Sequence, residues 1–312
     1  MSVLVIGGTG FIGPRVVRKL VERGEEVVCL DINPWAASFD DLGEQVRVVR
    51  GDITNFDDVV RTVLEFNPDR LINLAYFVGS GEGDPHNQLR LNVLGMDNCF
   101  EAARLCGVKR VVYASSIAAY GPQSSYGERT VNEDDPKHGT RRYSMHKIFN
   151  EYQAEQYIRN YGMSIAGIRP AHVTGPDKIR GSVDHVQAIT LPARGLPVTL
   201  PWQSLMRCPI HVEDVSEMFV RVALVDSSRY SLYNSGGTPV SLGALAELVR
   251  EFIPDAEINF DDEGGLEQSD IYLVDNSRMR EEFEVEIPPY RQRVLEIINE
   301  VRQEEGMTPI RE

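Results

Sequence analysis

The alternation of strand-length and helix-length segments in the first half of the chain constrains the fold most. The strand-length runs are rich in Val, Ile and Leu and are bounded by Gly, Asp or Asn; they are Val3–Ile6, Val27–Leu30, Val46–Val49, Leu71–Leu74, Val111–Ala114 and Ile165–Arg169. Amphipathic segments of helical period lie between them, near 11–23, 55–66, 88–106 and 143–161. Because crossover helices of one hand join parallel strands, this order predicts an α/β fold with a doubly wound parallel sheet.

The pattern changes after about residue 170, where Gly-Pro, Leu-Pro and Gly-Gly turns separate shorter elements. Two later helices are predicted, Ser241–Phe252 with Ser241 as its N-cap, and Pro289–Glu304. We therefore predict a first domain over residues 1–170, to which 208–230 returns. A smaller C-terminal domain is expected over 171–207 and 231–312.

The net charge of the chain limits the kinds of partner that it is expected to bind. The 312 residues carry a formal net charge of −15, whereas nucleic acid and anionic lipid are bound by basic surfaces, so neither partner is expected. No apolar run reaches the roughly 18 residues of a membrane span, and the N-terminus lacks the pattern of a signal peptide. The four cysteines show no metal-binding spacing. No metal and a reducing, cytoplasmic location are expected.

A glycine-rich turn follows the first strand and opens the first helix. Gly7, Gly10 and Gly13 stand three residues apart in the segment GGTGFIG. Such spacing gives a tight turn, lets the backbone approach a pyrophosphate and packs the helix close to its strand. The free N–H groups of the helix N-terminus then face the phosphates. The turn predicts a dinucleotide site.

Two acidic residues refine this prediction. Asp31 ends the second strand, where a carboxylate accepts hydrogen bonds from the adenosine ribose and repels a 2′-phosphate. Residues 32–37 contain no arginine to receive that phosphate, so NAD is favoured over NADP. Asp52 and Ile53 follow the third strand at the expected place of the adenine, although Asp52 is equally well explained as a turn residue.

A serine, a tyrosine and a lysine suggest proton transfer. Ser115 and Ser116 end the fifth strand, and Tyr143 and Lys147 stand four residues apart at a helix start, so they share one helix face. A lysine ammonium there can lower the pKa of the phenol and hold a nicotinamide ribose. The phenolate can then take the proton of a carbinol while hydride leaves to the cofactor.

With these motifs the chain resembles the extended short-chain dehydrogenase/reductases, the NAD-dependent epimerase/dehydratase family, over roughly residues 1–285. The resemblance implies a Rossmann domain followed by a substrate-binding domain. The matching segments are GGTGFIG at 7–13, GDIT at 51–54, NLA at 73–75, LNVLGMDNCFEAARLCGVKRVVYASS at 91–116, YG at 120–121, YSMHK at 143–147, IRPAHVTGP at 168–176, IHVEDV at 210–215 and YNSGG at 233–237.

The resemblance implies roles for matching residues. Tyr143 would be the catalytic acid/base, Lys147 its activator and ribose ligand, and Ser116, preferred over Ser115, the hydroxyl partner. The expected ligands of NAD are Gly7, Gly10, Phe11, Ile12, Gly13, Asp31, Asp52, Ile53, Leu74, Ala75, Asn92, Tyr143, Lys147 and Arg169. The expected substrate-binding residues are Ser116, Tyr143, His172 and Arg207, of which Arg207 matches the family's ligand for a substrate diphosphate.

Three departures from the family pattern bear on the substrate. Ile117 and Ala118 follow Ser116 where the dehydratases carry carboxylates, so dehydration is not expected. Pro201-Trp202-Gln203 replaces the usual Gly-Asp-Gly before Arg207, and Gly264-Gly265 stands where a second diphosphate arginine is often found. Two arginines hold a diphosphate far better than one, so the nucleotide-sugar assignment is weakened.

The expected activity is therefore oxidation of a carbinol with NAD, on a sugar or nucleotide-sugar, with 4-epimerase-like return of the hydride. The alternative is a dehydrogenase of a smaller non-nucleotide sugar, hydroxy acid or alcohol, and a remote one is a non-catalytic NAD-sensing protein. Arg141 and Arg142 either meet an anionic substrate or form a solvated loop pair. The glycine-rich loop 77–83 is expected to be mobile on the substrate side.

Helices 88–106 and 143–161 each carry apolar side chains over more than one stripe. One face of each helix is expected to pack on the sheet, which leaves a second apolar face in need of cover. The family resemblance implies a homodimer in which these helices form a four-helix bundle about a two-fold axis. The alternative is that the smaller domain covers them.

Overall fold

The computed structural model describes residues 1–77, 84–261, 268 and 270–311. Its strands are β1 Ser2–Ile6, β2 Glu26–Asp31, β3 Val46–Arg50, β4 Arg70–Asn73, β5 Arg110–Ala114, β6 Ile165–Arg169, β7 His172–Thr174, β8 Val198–Leu200, β9 Met206–Arg207, β10 Pro209–His211, β11 Leu232–Asn234, β12 Val240–Ser241 and β13 Ile258–Phe260. Its α-helices are α1 Gly13–Glu22, α2 Phe56–Phe66, α3 Pro85–Leu89, α4 Gly95–Cys106, α5 Arg142–Tyr161, α6 Asp184–Ala193, α7 Val212–Leu224, α8 Leu242–Phe252, α9 Ser277–Phe283 and α10 Tyr290–Glu304.

The main sheet has seven strands within the described residues, in the order β11-β6-β5-β4-β1-β2-β3. Every neighbouring pair in it is parallel. The chain runs outward from β1 to one edge and then, from β4 onward, to the other edge. The predicted α/β fold with a doubly wound parallel sheet is confirmed.

The sheet is covered on both faces, which explains why its strands are continuously apolar. Val3 and Val5 of β1 join a buried cluster with residues of α1 and α7. Leu4 and Ile6 point the other way, into a second cluster with residues of α2, α4 and α5. Successive side chains of a strand alternate between faces, so a strand that is buried on both sides needs apolar residues at every position.

The helix predicted over 88–106 is interrupted in the structure. Residues Arg90–Leu94 form a π-helical turn between α3 and α4. A π-turn inserts an extra residue into the helix and often occurs at functional sites. Here the turn contains Asn92, one of the expected site residues, whose side chain is buried.

A smaller layer has its own apolar core, formed by residues of α6, α8 and α10, among them Ile189, Leu245 and Ile298. The pairs β8–β13 and β9–β12 lie outside the main sheet. The return of the chain to the first layer extends beyond the predicted residue 230. Helix α7 packs against α1, and β11 then pairs with β6 as the edge strand of the main sheet, so the return reaches Asn234.

The structure bears on membrane spanning, metal binding and the state of the cysteines. No helix in the described part of the chain has the length and apolar character needed to cross a membrane. Within the same residues, no group of three or more His, Cys, Asp or Glu side chains is placed to hold a metal ion. Cys29, Cys99, Cys106 and Cys208 are all free thiols.

Candidate active site

The glycine turn between β1 and α1 forms a thin backbone cradle. Gly7 has a φ of 78°, which favours glycine, and its N–H donates to the carbonyl oxygen of Leu30 at 2.9 Å. A Cβ on Gly7 would come within 2.6 Å of the backbone nitrogen of Ala75, and one on Gly13 within 2.4 Å of the carbonyl oxygen of Gly7. Side chains are thus excluded where a pyrophosphate would meet the N-terminus of α1, so this part of the chain fits NAD.

The carboxylate of Asp31 is tied to this turn. It accepts hydrogen bonds from the backbone nitrogens of Thr9 at 3.3 Å and Asn33 at 3.0 Å. Arg50 on β3 is the register partner of Asp31, and its guanidinium lies 6.0 Å from the ring centre of the exposed Trp35. The sequence reasoning considered only residues 32–37 and therefore missed this arginine, which parallel pairing of β2 with β3 brings beside Asp31.

The expected adenine-side residues lie at the end of β3. The side chain of Asp52 accepts a hydrogen bond from the backbone nitrogen of Thr54 at 2.8 Å, as a turn aspartate does. Ile53 is buried, and a Cβ on Gly95 would lie 3.0 Å from its side chain. The contact of these two residues with adenine stays a prediction.

The catalytic candidates converge at the C-terminal end of β5. Ser116 caps a short 3-10 turn, and its Oγ accepts from the backbone nitrogen of Ala118 at 3.1 Å. Enclosure of the Tyr143 phenol raises its pKa, and a hydrogen-bonding interaction with Ser116 acts in the opposite direction. Ser115 instead donates to Glu151 at 2.5 Å. This placement supports the choice of Ser116 over Ser115.

Lys147 lies one helical turn beyond Tyr143 and is almost fully buried. Its Nζ donates to the carbonyl oxygen of Ala114 at 2.6 Å and lies 3.2 Å from the ring centre of Tyr76. Burial lowers the pKa of Lys147 well below its usual range, and the charge of Glu151 opposes that effect.

Tyr76 was not singled out from the sequence. Its ring packs edge-on against that of Tyr143, with centroids 5.3 Å apart, and it supplies a π-face to the Lys147 ammonium. Its position in an irregular segment after β4 gave no local pattern that pointed to the site.

Asn92 holds the backbone of the irregular segment after β4 with two hydrogen bonds. Its Oδ1 accepts from the backbone nitrogen of Phe77 at 2.8 Å, and its Nδ2 donates to the carbonyl oxygen of Phe77 at 3.3 Å. Asn73, at the end of β4, accepts from the backbone nitrogen of Ala75 at 3.0 Å. The path expected for the cofactor beside Leu74 and Ala75 is therefore held by amide side chains. The rest of the predicted mobile loop, 78–83, lies outside the described residues.

Arg169, an expected cofactor ligand, has a guanidinium that is engaged within the protein. Its side chain is fully buried and donates to both carboxylate oxygens of Glu151, each at 2.8 Å. A third donor contacts the Tyr120 hydroxyl at 2.5 Å. Because Glu151 stands one turn beyond Lys147 on α5, Arg169 supports the helix that carries the catalytic candidates, and its contact with NAD stays a prediction.

Arg207, the expected diphosphate ligand, is also engaged by protein groups. Its guanidinium is largely buried and is held by two carboxylates, those of Asp184 and Asp270. His172 lies beside this group, with its Nε2 3.8 Å from a carboxylate oxygen of Asp270 and its Nδ1 accepting from the backbone nitrogen of Cys208. The arginine that the sequence assigned to a substrate diphosphate is therefore already satisfied within the protein.

Comparisons with known proteins identify the family of the chain. Residues 3–236 match the model of the NAD dependent epimerase/dehydratase family. A UDP-glucose 4-epimerase of Mycolicibacterium smegmatis is 33% identical over 56% of this chain and 57% of that enzyme. A 3-beta-hydroxysteroid dehydrogenase of Mycolicibacterium neoaurum is 32% identical over 55% of this chain and 48% of that enzyme.

Among solved structures, a UDP-glucose 4-epimerase of Thermus thermophilus in complex with NAD superposes with a TM-score of 0.83 at 26% identity. That match covers 97% of this chain and 99% of the other. With the glycine turn, Asp31 and the Tyr143–Lys147 pair in place, NAD is the cofactor of this chain. The chain belongs to the NAD-dependent epimerase/dehydratase family and is an NAD-dependent enzyme of the extended short-chain dehydrogenase/reductase type.

Proposed function

We propose that this enzyme oxidises a secondary alcohol with NAD through Ser116, Tyr143 and Lys147. The observation that carries the proposal is the convergence of these side chains at the C-terminal end of β5. Ser116 interacts with the Tyr143 phenol, and the Lys147 ammonium is fixed one turn away by Ala114 and Tyr76. An NAD-sensing protein without catalysis needs no such proton relay, so the arrangement favours an enzyme.

Each residue has a chemical task in this proposal. Ser116 orients the substrate hydroxyl, and the phenolate oxygen of Tyr143 takes its proton. Lys147 holds a ribose and stabilises the negative charge on the phenolate. NAD, when bound, would supply the hydride acceptor, and the oxidised substrate would be a ketone. Burial raises the pKa of the Tyr143 phenol, so a positive charge near it, such as that of Lys147, is needed for it to act as a base.

Two outcomes share this chemistry. An epimerase returns the hydride to the opposite face of the ketone, and a dehydrogenase releases the ketone together with NADH. Relatives of both kinds exist, one named for UDP-glucose epimerisation and one for hydroxysteroid oxidation. The satisfied guanidinium of Arg207 favours the dehydrogenase of a non-nucleotide hydroxy compound, which the sequence placed second.

The experiment is to incubate the purified enzyme with NAD and a panel of sugars, nucleotide-sugars, hydroxy acids and sterols. Absorbance of the reduced nicotinamide is followed, and products are separated by chromatography. Net NADH identifies a dehydrogenase, and a new stereoisomer without net NADH identifies an epimerase. Turnover that persists in the Tyr143→Phe variant would contradict the proposed site.

We propose a homodimer as the working assembly. Large apolar side chains remain exposed on the π-turn and α4 and on α5: Leu94, Leu105, Met145, Phe149, Tyr152 and Tyr161. The described part of the smaller layer therefore does not cover these faces. A second copy of the chain would bury them about a two-fold axis. The four free thiols support a reducing compartment such as the cytoplasm.

A further inference from the structure

The substrate end of the site contains a closed group of ion pairs centred on Arg207. Its Nε and Nη2 donate to the two oxygens of Asp184 at 2.9 and 2.5 Å, and its Nη1 donates to Asp270 at 3.0 Å. The pair with Asp184 is the bidentate geometry in which a guanidinium binds a carboxylate most strongly. All three contacts are made by a side chain that is 7% exposed.

This group is continuous with the catalytic helix. A carboxylate oxygen of Asp270 lies 3.5 Å from Nη1 of Arg141, the residue that precedes α5 and stands two positions before Tyr143. His172 reaches the same carboxylate from the strand that follows β6. The ion pairs therefore adjoin the start of the helix that carries Tyr143, at the place that the family resemblance assigns to the substrate.

Two arginines and two aspartates in this group cancel one another's charge, and Lys178 adds part of a positive charge at neutral pH. Arg207 and Arg141 contribute two positive charges, and Asp184 and Asp270 contribute two negative ones. Lys178 donates to the carbonyl oxygen of Val173 at 2.7 Å, and burial lowers its pKa to about 7. Burial also lowers the pKa of His172 and, to about 3, that of His185. Neither histidine carries a charge at neutral pH.

Within the described residues, the guanidinium of Arg207 is not free to bind a diphosphate, because Asp184 and Asp270 hold it. Displacing the carboxylates would leave two buried negative charges beside the phosphates, and breaking such a pair is strongly unfavourable. The sequence adds no compensating charge nearby, because residues 251–277 contain acidic residues but no Lys, Arg or His.

On the basis of the proposed function, we infer that the substrate is a hydroxy compound that carries no nucleoside diphosphate. Asp184 and Asp270 are the residues that set this specificity, because they occupy the one arginine that the family pattern would assign to a diphosphate.

The test measures UDP binding to the NAD-saturated enzyme by calorimetry, so it requires no turnover. The wild-type enzyme should show no saturable binding of UDP at millimolar concentration. The Asp184→Asn/Asp270→Asn double variant keeps acceptors for the guanidinium but removes both charges. It should bind UDP at least about tenfold more tightly than the wild type. Adding Arg207→Ala to the double variant should abolish that gain.

Several outcomes would overturn the inference. Micromolar binding of UDP by the wild type that is lost in Arg207→Ala would show that Arg207 serves a diphosphate. A double variant that folds, as judged by its melting temperature and NAD affinity, and yet does not bind UDP would show that the carboxylates do not set the preference. If the double variant does not fold, UDP titration of the wild type and of Arg207→Ala still decides whether Arg207 binds a diphosphate.

A turnover assay tests the same inference independently of UDP binding. In the substrate panel, conversion of hydroxy compounds but not of their nucleoside diphosphate derivatives supports the inference, and the reverse contradicts it. A panel with no turnover at all would count against the proposed alcohol oxidation, whereas the UDP titration would still report on Asp184, Asp270 and Arg207. The two proposals can therefore fail independently.

Discussion

Replacing Arg169 by methionine separates a structural role from a cofactor-binding role. Arg169 and Glu151 are a buried bidentate pair, with 0% and 2% of their side chains exposed. Removing one member of such a pair costs about 3–5 kcal/mol, because the other charge stays buried. Lys137 remains 2.7 Å from the Glu151 carboxylate, and Ser115 still donates to it. We therefore expect the lower end, about 3 kcal/mol.

A loss of that size lowers the melting temperature by about 4–5 °C in a chain of this length. The dissociation constant for NAD should change little at a temperature where both proteins are folded. Arg159→Met is the matched control, because this arginine is exposed on the same helix, and it should melt like the wild type. Adding Glu151→Gln to Arg169→Met should recover part of the loss, since it removes the stranded carboxylate.

The Arg169–Glu151 pair also predicts that the stability of the protein depends on pH. Arg169 holds the pKa of Glu151 below its usual value against the opposing effect of burial. A carboxylate whose pKa is lowered by folding stabilises the protein above its unfolded pKa of about 4.3, and this contribution is lost as the pH falls. The stability difference between the wild type and the double variant should thus shrink in acid. An Arg169→Met protein with unchanged melting temperature and NAD binding weakened tenfold or more would refute this reasoning.

Three further predictions follow from the site. Tyr143→Phe should keep NAD binding, as measured by calorimetry, but lower the turnover number by about a hundredfold or more. Oxidation by the wild type should accelerate as the pH rises, because burial raises the pKa of Tyr143. A pH–rate profile without this rise would count against proton transfer to Tyr143. NAD should bind the wild type about a hundredfold more tightly than NADP. Asp31→Asn should reduce this difference in affinity, because Arg50 faces the same position. Equal affinities of the wild type for NAD and NADP would contradict the preference for NAD. Phe149→Glu should convert a dimer into a species with the mass of one chain in light scattering, since it places a charge on an exposed apolar face; a monomeric wild type would reject the dimer.

The sequence by itself determined the features that depend on local order along the chain. Apolar runs without alternation identified the buried parallel strands, because both faces of each strand are covered. The spacing of Gly7, Gly10 and Gly13 identified the turn where a Cβ would strike neighbouring backbone. The four-residue interval between Tyr143 and Lys147 placed both side chains on one face of α5. Such features follow from the period of one element or the geometry of one turn.

Only the tertiary structure decided which charges are available to ligands. Arg207 meets carboxylates 23 and 63 residues away, and Arg169 meets one 18 residues away. Tyr76 reaches Lys147 from a different segment altogether. No local pattern encodes these contacts, since they depend on how strands and helices pack after each has formed. A charged residue in a family motif marks a position near the site, but its partners in the folded chain determine whether it binds a ligand or supports its neighbours.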